Sequence, residues 1–252
     1  TAFTLHAAGA TRRVRVRRIG RRMVLAALAA VAVALAEGLP LGRALGRLEQ
    51  VPPVSRRMEP IRLASGAVVL RDCSKGTQEP LEAALDVLAD VPAGRRIVVL
   101  GLVGDAGAEP EAKHRTIGRR LGGFADRLVL LCQEYDDDCA AGAIEAGLPD
   151  DAITRLDRDM FGAVRVLEAE LAEGDVVLVA GWGWLRLERI DLLLAGDPVR
   201  CRLLYCSGRG ISCQACPART EGWPGSFIPG ARSRAYPLGP EVPNGQGLGT
   251  RD

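Results

Sequence analysis

The densest chemistry in the chain sits at the end of a short apolar run. Residues 66–70 read GAVVL, and the following RDCSKGTQEP sets Asp72, Cys73, Lys75 and Gly76 ahead of a helix-forming EAAL stretch. An acid there can accept hydrogen bonds or cap the helix that follows. A lysine is a point cation for a phosphate or carboxylate, and a glycine lets another backbone or a ligand approach closely. A second concentration, CRLLYCSGRGISCQAC, spaces Cys201, Cys206, Cys213 and Cys216 as C-x4-C-x6-C-x2-C. Four thiolates in one loop are a donor set for tetrahedral zinc, with the first pair wider than knuckle spacing. A phosphate-cradling GxxxxGK[ST] run would be the strongest signal, and none occurs in the sequence. The glycines of GLVGDAG (101–107) are explained about as well by a tight strand-to-helix turn.

These residues need a scaffold, and the hydropathy pattern supplies one. Strand-like Val/Leu runs at 66–70, 95–101, 126–132, 152–156 and 175–181 alternate with helix-length segments near 78–90, 109–123, 137–147, 160–172 and 185–195. Continuous apolar strands are those buried on both faces, with the helices as crossovers. The expected fold is α/β, a Rossmann-like, doubly wound, mostly parallel sheet. Ligands of such sheets lie beyond the carboxyl ends of the strands, here 72–77, 101–109, 133–138 and 181–184.

Ahead of this unit, TRRVRVRRIGRR (11–22) alternates Arg with Val like an edge strand with a solvated face. The next run, from Met23 to Ala36, is shorter than the ~20 residues a spanning helix requires and is rich in Ala. It is expected to be a buried small-residue helix stopped by Gly38, and not an export signal. VPPVSRRMEP (51–60) is a connector. A formal charge of +2 gives no global argument for nucleic acid or a membrane as partner. Without an export signal, a cytoplasmic location is expected, and the seven cysteines are expected as thiols or metal ligands. Cys73, Cys132 and Cys139 are assigned to small core or loop positions. Residues 218–252, rich in Gly, Pro and Arg, are expected to be disordered. Because the chain begins with Thr, a preceding part is expected to be missing.

The order of these pieces resembles the Mur ligase family, the ATP-dependent enzymes that add amino acids to the peptide of the cell-wall precursor. Within it the likeness is to the D-alanyl-D-alanine-adding branch. It is carried by LAALAAVAVA, SRRME, the strand ending in Asp72, EAAL, VVLGLVGD followed by KHRTIG, and GDVVLVAG with RLERI. The resemblance implies that 1–50 close a central ATPase domain, 51–60 link, and 61–196 form the Rossmann-like C-terminal domain. An irregular Cys-containing segment (197–217) and the tail would follow. It also implies that ATP phosphorylates a carboxylate, and that an amine then attacks the acyl phosphate.

Matched by position, the resemblance places Arg57 and Asp72 at the nucleotide, the acid near the ribose. It places Asp105, His114, Arg186 and Glu188 at the amino-acid or peptide substrate. Lys75, which replaces part of the branch's asparagine-rich run, is a further candidate for substrate. The family's lysine-glycine-serine turn after the last strand is replaced here by AGWGW. The phosphate loop, magnesium ligands and carboxylated lysine belong to the preceding domain, so the chain is expected to be inactive alone and to work with that ATPase domain. Two other readings stand beside this one: a noncatalytic nucleotide or amino-acid binding domain, and an interaction protein with a zinc-stabilised tail.

Overall fold

A computed structural model describes residues 1–104, 109–203, 206 and 211–221. The chain opens with an antiparallel hairpin, β1 (Ala2–Ala7) and β2 (Ala10–Arg15), followed by helices α1 (Arg21–Ala36) and α2 (Leu41–Gln50). Leu5, Val14, Val16, Ala27, Val31 and Leu45 form a small core of their own. The expectation of a buried α1 is not met. Only Ala27 and Val31 are covered, while Leu25 is 68% and Val33 63% exposed, because the hairpin and α2 shield a single stripe of the helix. Gly38 follows the helix at φ +77°, the left-handed stop a glycine adopts without strain.

The main body is a six-stranded sheet built from β3 (Glu59–Arg62), β4 (Val68–Asp72), β5 (Arg96–Gly101), β6 (Arg127–Leu131), β7 (Ile153–Arg155) and β8 (Val176–Ala180). Their spatial order is β3-β4-β8-β5-β6-β7, and all pairs are parallel except the edge pair β3–β4. Alternation along each strand divides the apolar residues between two faces. Leu70, Val98, Leu100, Leu128, Leu130 and Leu178 meet α3 (Gln78–Asp90), α4 (Pro110–Gly122) and α5 (Asp136–Glu145). Val69, Ile97, Val99, Val129, Val177 and Val179 meet α6 (Met160–Glu170) and α7 (Glu188–Leu194). The sheet is therefore doubly wound and covered on both sides, as the continuous Val/Leu runs require.

Helix α3 leaves β4 toward one face and α7 leaves β8 toward the other, although β4 and β8 are neighbours. Connections that diverge in this way open a crevice at the carboxyl ends of the two strands. Beyond α7, Cys213–Ala215 make one 3-10 turn and α8 (Ala218–Glu221) follows, with Ala218 buried. The rest of the expected disordered tail, 222–252, lies outside the described residues.

Candidate functional site

Three loops meet at the carboxyl end of the sheet, and Gly76 is where they lock. Its N–H donates to the Gly181 carbonyl at 3.2 Å, and its own carbonyl accepts from Gly104 N–H at 2.7 Å. Trp182 N–H in turn donates to Leu102 O at 2.9 Å. A β-carbon on Gly76 would lie 2.1 Å from the Gly181 carbonyl carbon and 2.2 Å from Trp182 N, so no other residue fits this crossing. The glycine of RDCSKG thus serves backbone against backbone, and it places Asp72 and Lys75 beside the ends of β5 and β8.

Asp72 ends β4 with 8% of its surface exposed, and its Oδ1 accepts from Met58 N–H at 3.2 Å. Burial pushes its carboxyl above the ordinary aspartate value, and the Met58 donor and the Arg57 charge pull it back only part of the way. Arg57 is exposed and flanked by Arg56 and Met58, both at positive φ (59° and 47°). This contorted connector carries Arg57 close enough for its charge to act on the acid. The pair lies on a cleft of about 730 Å³ between α3 and the segment at 18–23, with Met58, Pro80 and Val87 in its wall. Asp72, Lys75, Val103 and Gly181 also line a notch of about 10 Å³, which is the room of roughly one water molecule.

On the other side of Lys75 lies a second cleft, of about 340 Å³. Exposed Lys75, half-buried Arg56 and the buried Arg186 bring cations to it, Ser74 and Thr77 bring hydroxyls, and Trp182 and Trp184 bring apolar wall. The two indoles stack with centroids 5.3 Å apart and planes 12° from parallel. Gly183 between them lets the turn close, because a β-carbon there would meet Ser74 O at 2.5 Å.

Beneath this cleft is a buried ionic network. Glu188, 1% exposed, takes Arg186 at 3.4 Å, Arg56 at 3.6 Å and Cys213 N–H at 3.4 Å, and the Cys73 thiol approaches it at 3.6 Å. Arg186 adopts a left-handed φ of 54° and also donates to Ile211 O at 3.1 Å. Glu188 is therefore an anchor for cations, away from the cleft surface, whereas Arg186 reaches the cleft wall. Sequence reasoning missed the adjoining part of the network. Arg71 on β4 grips Asp191 of α7 with both arms and reaches Glu59 at 3.3 Å. Burial raises the Asp191 carboxyl to about 6 against the pull of Arg71. The signal for it was present in VVLRD, since an arginine inside a buried strand requires an internal counter-charge. Cys73, fully buried, has its thiol pushed well above the ordinary value by desolvation and then by Glu188, so it is no nucleophile.

His114 was expected at the substrate, and the structure places it inside. It is 0% exposed, its Nδ1–H donates to Pro110 O at 2.7 Å, and the ring stacks on Tyr135 at 4.7 Å. Burial lowers its pKa, which keeps the imidazole neutral, and Nε2 lies 3.5 Å from Val103 N. Its work is to brace the loop that supplies Val103. Asp105 lies outside the described residues. The proposed zinc set does not assemble. Cys201, Cys206 and Cys216 pack with Leu203 and Ile211, while burial and Glu188 hold the Cys213 thiol protonated. Among the described residues no three His, Cys, Asp or Glu side chains come together to hold a metal. Among the same residues, no helix is long and apolar enough to cross a membrane.

Comparison with known proteins agrees with this architecture. The family model described as Mur ligase, glutamate ligase domain, matches residues 56–183. Over 218 residues the chain is 34% identical to the UDP-N-acetylmuramoyl-tripeptide--D-alanyl-D-alanine ligase of Mycobacterium tuberculosis, covering 77% of this chain and 42% of that one. Among solved structures, MurF from Acinetobacter baumannii superposes with a TM-score of 0.68 at 22% identity, over 78% of this chain and 42% of that one. MurF ligase from Thermotoga maritima, in complex with ADP, gives 0.64 at 19% identity, over 78% and 43%. The chain spans less than half the length of the curated relatives it matches. The matched segment runs from the connector at Arg56 through the crevice-forming strands to the Trp turn at Gly183, and on that ground the chain belongs to the Mur ligase family, of which it carries the C-terminal domain.

Proposed function

We propose that this chain is the C-terminal part of an ATP-dependent carboxylate–amine ligase serving cell-wall or related peptide synthesis in the cytoplasm. In that reaction a carboxylate oxygen attacks the γ-phosphorus of ATP, giving an acyl phosphate and ADP. The amine nitrogen then attacks the acyl carbon, phosphate leaves with the bonding pair, and the amine loses a proton to give the amide. ATP and magnesium would be held mainly by a domain other than this one, so the chain alone does not turn over ATP. The residues of this chain bind and orient. Asp72 accepts hydrogen bonds from the ribose hydroxyls, Arg57 lies against the nucleotide's charge, and Lys75 and Arg186 draw in the carboxylate of an amino-acid or peptide substrate. Lys75, standing between the two clefts, is placed to keep the amine side near the nucleotide side.

The observation that carries this reading is the buried Asp72 beside exposed Arg57 on a nucleotide-sized cleft at the strand ends. Calorimetric titration of the 252-residue chain with ADP tests it. Asp72→Ala should weaken binding about tenfold or more, the worth of a hydrogen-bonded pair to a charged group. The 2′,3′-dideoxy analogue should lose affinity for the wild type and no further for the variant. Equal affinities across all four combinations would overturn the assignment.

A further inference from the structure

The second cleft has a composition that selects among amines. Its wall combines cations, Lys75, Arg56 and Arg186, with the stacked, half-buried indoles of Trp182 and Trp184. Glu188 offsets one positive charge from below, which leaves the cleft net cationic. Nε of Arg56 has no hydrogen-bond partner among the described residues. A ligand matched to this wall carries a carboxylate at one end and a broad apolar surface at the other. The Trp182 indole is held in place, since its backbone N–H donates to Leu102 O and its ring packs over Gly104, where a β-carbon would lie 2.9 Å from it. A rigid aromatic wall rewards flat or bulky groups, by area burial and by ring stacking, and gains little from a methyl group.

We propose that the Trp182–Trp184 pair, with Lys75, makes this cleft a specificity site for an amino acid or dipeptide that carries a free carboxylate and a bulky apolar or aromatic side chain. The inference rests on the ligase reading for its role, the delivery of the amine, and adds to it the class of amine. Ala-sized side chains leave the indole faces in water. A phenyl group covers them while the carboxylate pairs with Lys75 in the same cleft.

The test is calorimetric titration of the full chain with Ala-Phe, Ala-Ala and Ala-Phe amide, with ADP titrated into the same preparation. Ala-Phe should bind at least tenfold more tightly than either of the others. Lys75→Ala, at an exposed position with little bearing on folding, should remove the difference between acid and amide. Trp184→Ala should remove the difference between Ala-Phe and Ala-Ala, and Trp184→Phe should restore most of it. Because the Trp variants bear on loop packing, each is compared for ADP affinity, which should hold. Ala-Ala binding as tightly as Ala-Phe, or Ala-Phe failing to bind while ADP binds, overturns this inference and leaves the ligase reading standing. Ala-Phe binding as expected while ADP does not bind supports the cleft and removes the nucleotide assignment alone.

Discussion

Replacing Gly76 by Ala tests whether the three site loops are held by one backbone crossing. The added β-carbon would sit 2.1 and 2.2 Å from backbone atoms of Gly181 and Trp182, where ordinary contact begins at 3.4 Å, so a strand-end loop must retreat by more than an ångström. Neither neighbour is a flexible side-chain tip, and Trp182 N is itself fixed to Leu102 O. The retreat breaks the Gly76–Gly181 and Gly104–Gly76 hydrogen bonds, at about 1 kcal/mol each. Overpacking adds about 1–3 kcal/mol, for a total near 4 kcal/mol. With a denaturant slope of about 2 kcal/mol per molar urea, the unfolding midpoint should fall by about 2 M. Gly42→Ala is the control, because α2 leaves nothing within 4 Å of that β-carbon and alanine favours a helix by up to about 1 kcal/mol. The assay is urea unfolding followed by far-ultraviolet circular dichroism. A Gly76→Ala loss below about 1 kcal/mol would refute the crossing as the lock of the site.

Arg71→Met should cost about 3–5 kcal/mol in the same assay by stranding Asp191 beside Glu188, and adding Asp191→Leu should recover much of it; a harmless single variant would show the pair contributes little. Asp136, whose oxygens accept from Cys132, Leu156 and Asp157 N–H groups, has its carboxyl raised to about 6 by burial. A raised acid binds its proton more tightly folded than unfolded, so stability falls as pH climbs from about 4 to 6. Lowering the pH from 7 to 5 should therefore gain about 1 kcal/mol through this group, and Asp136→Asn should remove that part of the slope; identical slopes would contradict the assignment.

The parallel sheet was legible because its strands are apolar on both faces, so GAVVL, RRIVVLG and DVVLVAG announce themselves without reference to the rest of the fold. Edge strand β3 was not. EPIR straddles the end of the Pro-rich connector and owes its strand form to pairing with β4, a tertiary effect. The position of Asp72 at the carboxyl end of a sheet strand followed from pattern alone. The burial of His114 and Glu188 did not follow. A histidine on an amphipathic helix and an acid two residues after an arginine look the same in sequence whether they face water or a core. Nor did cysteine spacing reveal that Cys201, Cys206 and Cys216 pack with Leu203 and Ile211 while the Cys213 backbone N–H donates to Glu188.

The insertion of β8 between β4 and β5 has a consequence for how the molecule is made. The strand that completes the centre of the sheet is the last of the six to be synthesised, and it pairs with Val68 through Asp72 on one side and Arg96 through Leu100 on the other. Until it arrives, β4 has only its edge partner β3, and the β5–β6–β7 group presents an open flank. Closing two long loops at once is entropically expensive, so the rate-limiting event in folding should be the docking of this single segment. A nascent chain that stalls before Val176 would hold two half-sheets with unsatisfied edges, a form inclined to associate with other chains.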